Sequence, residues 1–137
     1  MTPILNVPFL PDEHYIACLE QCTADLESVH FCLEHEPCLD SRVRVGNAGA
    51  LTGLARLPGV RKYALLNSRF HDPRLLVSGR GLQPLVRTLS GLLDRELVDG
   101  IVYCDHYLLQ RLADEAPELA SRLEAVPGVN TMLDSFA

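Results

Sequence analysis

"GIVYCDHYLLQRLADE", residues 100–115, sets two periodicities side by side. Gly100 to Cys104 is a short apolar run with β-branched and aromatic residues, the mark of a buried strand. From Asp105 onward, Leu108, Leu109, Leu112 and Ala113 recur at the three- and four-residue spacing of one helix face. The switch falls at Asp105 and His106. A strand that hands over to polar residues just before a helix fits a parallel α/β fold, where ligands bind at the carboxyl ends of the strands.

The same alternation runs outward from that stretch. Apolar runs at Ile4–Val7, Ser28–Leu33, Tyr63–Asn67 and Val129–Leu133 predict four more strands. Helix faces are predicted from Ile16, Leu19 and Leu26, from Leu51, Leu54 and Ala55, and from Leu82, Leu85, Val86, Leu89, Leu93 and Leu97. Pro117 opens a further helical turn through Leu119, Ala120 and Leu123, and "VPGV" turns the chain into the last strand. The spacing matches the roughly 30 residues of a βα unit. Two α/β architectures accommodate five such strands: a partial TIM (β/α) barrel and a flavodoxin-like doubly wound sheet. "TMLDSFA" stops just after the fifth run without a helix to cover the sheet, which favours residues 1–137 as a single α/β unit forming the amino-terminal part of a larger, truncated barrel.

Composition narrows the function classes. A net charge of −6, with Lys62 as the sole lysine, supplies no cationic field for nucleic acid. No apolar run approaches the roughly 18 residues of a membrane span, and "TPILNVPF" lacks the basic start of an export signal, so a cytoplasmic protein is expected. Five cysteines, an odd number, read as reduced thiols there.

The strand ends supply the candidate site. Leu66 gives way to Asn67, Ser68 and Arg69, Cys104 to Asp105 and His106, and Leu133 to Asp134 and Ser135. On a parallel sheet these ends share one rim, which makes Asp105, His106 and Asp134 candidate acid/base residues and Asn67 and Arg69 candidate contacts to a small polar or anionic ligand. The competing reading of Asp105 is a helix N-cap. Adjacent residues point apart, so Asp105 and His106 are not assumed to form a dyad. Arg69, His71, Arg74 and Arg80 could grip a carboxylate or phosphate. Cys18, Cys22, Cys32, His35 and Cys38 match no standard ligand spacing and the cysteines are read as small buried hydrophobes, so no metal site is assigned and no cofactor is named. His14 is expected on a helix surface and His30 on a sheet face. Neither "SGRGLQP" nor "GNAGALTG" fits a nucleotide fingerprint, and no G-x-S-x-G elbow occurs.

Across "LVDGIVYCDHYLLQRLADEAPELASRLEAVPGVNTMLDS" the chain resembles the TIM-barrel proteins of the U32 peptidase group, the collagenase-like proteases, whose relatives include iron-sulfur proteins of ubiquinone and transfer-RNA hydroxylation. "KYALLNS" before a long helix is compatible with that group's third strand. The resemblance implies a hydrolytic or cluster-dependent parent. The group's diagnostic segment and cysteine cluster lie beyond the matching part, so no catalytic or cluster residue carries over. The rival is a non-enzymatic flavodoxin-like or receiver-like binding or signalling module, against which Asn67 stands where a receiver needs a phosphate-accepting Asp. A third expectation is self-association through an open sheet edge.

Overall fold

The computed structural model describes residues 4–33, 48–68, 71–77, 79–129 and 131. Five strands, β1 (Leu5–Pro8), β2 (Leu26–Cys32), β3 (Arg61–Leu66), β4 (Gly100–Tyr103) and β5 (Glu124–Pro127), form one sheet in the order β1-β2-β3-β4-β5. All four pairings are parallel. Between them lie α1 (Glu13–Gln21), a 3₁₀ segment (Ala48–Arg56), α2 (Pro73–Val77), α3 (Gly79–Asp94), α4 (His106–Glu115) and α5 (Pro117–Arg122).

Strand alternation assigns the two faces. Val29 and Phe31 of β2, Ala64 and Leu66 of β3, and Ile101 of β4 are buried with Ile16, Leu54, Leu85, Leu89 and Leu108 in one hydrophobic cluster. The helices therefore cover this face. The opposite face carries Ser28, His30, Tyr63, Leu65, Val102, Glu124 and Val126, which wall an open cleft. A bulge sets the phase of β2: Leu5 pairs with Leu26 but Asn6 with Ser28, so Glu27 is the extra residue and Leu26 stays with the core.

Local chemistry fixes the connections. Asp12 caps α1 by accepting from the Tyr15 N–H at 2.9 Å. The 3₁₀ segment lies close against α1 at Gly53, where a Cβ would stand 2.6 Å from Ile16 Cδ1. Asp99, just before β4, ties three strands at their starts: its N–H donates to Lys62 O, its Oδ2 accepts from Lys62 N at 2.7 Å, and its carbonyl accepts from Glu124 N.

Several sequence expectations need correction. The fifth strand of the described sheet is Glu124–Pro127, directly after α5; of the expected Val129–Leu133 run only Val129 and Thr131 lie among the described residues, and neither is in a strand. Its residues are mostly exposed, so the apolar run that marks a buried strand is missing. Leu26 opens β2 and is not on a helix, and Leu51, Leu54 and Ala55 lie on a 3₁₀ segment. Leu97 follows α3 as a buried loop residue. The flavodoxin-like alternative requires strand order 2-1-3-4-5 with a reversal point. This sheet has a sequential order and no reversal, the arrangement of a barrel wall, and it is not closed.

Both edges are blunted. Phe9 N donates to His30 O and Gly128 N to Tyr103 O. By alternation Pro8 and Pro127 turn their backbones to the open sides, where proline offers no N–H. Among the described residues no helix is long and apolar enough to cross a membrane.

Candidate functional site

The uncovered face holds a cleft of about 470 Å³. Its walls are laid down in rows two residues apart, each about 7 Å further along the strands. The row nearest the amino-terminal ends pairs Asn6, Ser28 and Arg61. The next aligns His30, Tyr63, Gly100 and Glu124. Leu65, Val102 and Val126 form the apolar row above it. Asn67 and Gly128 line the cleft at the carboxyl end.

The lower rows form one hydrogen-bonded network. Ser28 Oγ donates to Asn6 Oδ1, and Asn6 Nδ2 reaches Glu27 at 3.4 Å. Arg61 lies 3.2 Å from Glu27 and 3.3 Å from Glu124. Tyr63 Oη donates to Glu124 Oε2 at 2.6 Å. Burial first, and then the bond to Glu124, pushes the Tyr63 phenol up to about 12. Tyr63 reaches across β4 to Glu124 because Gly100 lies between them. A Cβ there would meet the Glu124 carbonyl oxygen at 2.4 Å and Tyr63 Cε1 at 2.9 Å.

The predicted site residues are dispersed. Asn67 follows β3 and lines the cleft; its Oδ1 is buried and without a hydrogen-bond partner. Asp105 Oδ1 accepts from Tyr107 N at 2.8 Å and Leu108 N at 3.3 Å, so this carboxylate caps α4. His106 is exposed, its ring edge-on to Tyr103 with centroids 5.4 Å apart. Neither Asp105 nor His106 is among the residues lining the cleft. Arg69 and Asp134 lie outside the described residues. Replacing Asp105 by Ala should cost about 1 kcal/mol of stability and by Asn far less, since Asn also caps. Thermal unfolding of the two variants checks this.

His71 is the residue at this rim whose environment the sequence did not reveal. It is buried, both ring nitrogens lack a hydrogen-bond partner, and Asp105 is its charged neighbour. Burial lowers its pKa, and the Asp105 charge opposes this without cancelling it. A folded pKa below the ordinary 6.5 means that the contribution of His71 to stability is present above that value and is lost as pH falls through the folded pKa. Nuclear magnetic resonance (NMR) titration of the imidazole should place its midpoint below that of free histidine. A midpoint at or above 6.5 contradicts the burial argument.

Among the described residues no three His, Cys, Asp or Glu side chains converge as metal ligands. Cys18 is exposed, correcting its reading as a buried hydrophobe, while Cys22 and Cys104 are half-buried and Cys32 is buried. His35 and Cys38 lie outside the described residues. His14 is exposed, and His30 is half-buried on the sheet face.

The sheet order, the one-sided helical cover and the open inner face can be compared with known proteins. Among solved structures, the U32 peptidase Mk0906 is similar, with a TM-score of 0.62 over 93% of this chain. The fold is U32-peptidase-like. Sequence identity is 21%, and the match takes in 49% of that chain, so this chain spans about half its length. The likeness supports the resemblance at the level of fold. No family model matches the chain, and no curated protein matches it.

Proposed function

We propose that the chain supplies one wall of a binding site for a small polar ligand at the carboxyl ends of its strands, with Asn67 as the anchoring side chain. The observation that carries this reading is the cleft of about 470 Å³ that reaches Asn67 over the apolar row Leu65, Val102 and Val126. Parallel α/β sheets bind ligands at this position, and pockets combine apolar walls with a few polar anchors. A buried acceptor without a partner costs roughly 1–3 kcal/mol. A ligand donor that draws the Asn67 amide toward the cleft offsets that cost. Arg69, two residues beyond Asn67, is the second proposed contact, while Asp105 serves α4.

In a longer U32-like protein, residues of further strands would complete the chemistry, hydrolytic or iron-sulfur-dependent. The blunted edges at Pro8 and Pro127 favour a free cleft over self-association through an edge.

Titration with hexanamide, followed by NMR, tests the binding reading. Shifts should concentrate at Leu65, Asn67 and Val102, and Asn67→Ala should weaken binding about 2- to 10-fold, the range of one hydrogen bond, with an almost unchanged melting temperature. An absence of shifts, or shifts confined to the helical face, contradicts it.

A further inference from the structure

We propose that the cleft selects cationic ligands: an elongated primary amine or guanidine whose head sits at the Glu27–Glu124 end and whose apolar stem lies over Leu65, Val102 and Val126. This rests on the ligand-binding reading above and names the ligand's charge. Glu27 and Glu124 share a single guanidinium, Arg61, at 3.2 and 3.3 Å. Two negative charges against one positive leave a net −1 among these described ion-paired groups. Both carboxylates are nearly half exposed, at 43% and 47%, so a ligand can reach them. A carboxylate has about four acceptor positions. Glu27 accepts from Arg61 and Asn6, and Glu124 from Arg61 and Tyr63, which leaves room on each.

The geometry sets the ligand's shape as well as its charge. The Glu124 row and the Asn67 end are two rows apart, about 13 Å along the strands. Between them stand Leu65, Val102 and Val126, which offer no polar atom from their side chains. A compact ion would satisfy one end only. An extended amine places its ammonium among the carboxylates, its methylenes on the apolar row and a far donor near Asn67. At the Glu27–Glu124 end an anion meets the opposite conditions, because Arg61 is already engaged by two carboxylates.

The test titrates the full chain with hexylamine, hexanamide and hexanoate at about pH 8, where free imidazole is neutral. Hexylamine should bind about 5-fold tighter than hexanamide at low salt, and hexanoate weakest. That advantage should shrink in about 0.5 M salt, as expected for partly exposed charges, and disappear in Glu124→Gln, which can still accept from Tyr63. Hexanamide binding with hexanoate equal to or better than hexylamine overturns the charge assignment and leaves the binding reading standing. Hexylamine binding without any hexanamide binding keeps the cation site and removes the Asn67 anchor. No shifts with any probe, including because a dimer covers the face, overturns both.

Discussion

Gly100→Ala should lower the melting temperature by about 8 °C, from a loss of about 2 kcal/mol. The added Cβ would stand 2.4 Å from the Glu124 carbonyl oxygen and 2.9 Å from Tyr63 Cε1, closer than such atoms approach. One contact is with backbone, so relief requires β4 and β5 to separate, and with them the Tyr63–Glu124 hydrogen bond. Ala also restricts the unfolded chain, which returns roughly 0.4–1 kcal/mol and is included in the figure. Gly91→Ala is the control. Gly91 lies in α3, exposed, with nothing within 4 Å of its Cβ position. There the same substitution should stabilise by roughly 0.5–1 kcal/mol. Equal effects at the two positions would show that Gly100 is not a crossing point.

Leu66→Ala should cost about 3 kcal/mol, with a fall in melting temperature above 10 °C. Leu66 is fully buried on the middle strand, on the face covered by helices, where neighbours on both sides resist collapse into the space left. Val126→Ala, on the open face of edge strand β5, should cost less than about 1 kcal/mol because water already reaches that side chain. Chemical denaturation of the two variants measures the contrast directly. Similar losses at both positions would mean that the open face is packed.

The sequence carried the fold where burial was strong. β2, β3 and β4 each bury apolar residues against the helices and show as apolar runs. β5 did not, because Glu124, Ala125 and Pro127 are exposed on an edge strand and imitate a loop. Strand order was beyond reach, since a local period says nothing about which neighbour a strand pairs with. The open face did leave a trace: Ser28 and His30 alternate with Val29 and Phe31, where a strand covered on both sides would be apolar throughout. The acidic end of the cleft left none. Arg61 is 34 residues from Glu27 and 63 from Glu124, and each reads alone as an ordinary surface charge. Asn67 stood out in the sequence because it follows an apolar run, and it lines the cleft; Asp105 satisfied the same rule while serving as a cap.

The central claim is that one face of this sheet is covered by helices and the other is open. Methyl NMR with a neutral, soluble paramagnetic agent measures it in a single experiment. The methyl groups of Val102 and Val126 should relax like surface groups, while those of Ala64, Leu66 and Ile101 stay protected. Equal protection of both sets in dilute solution would show the inner face to be covered, and would contradict the open cleft on which the binding proposals stand.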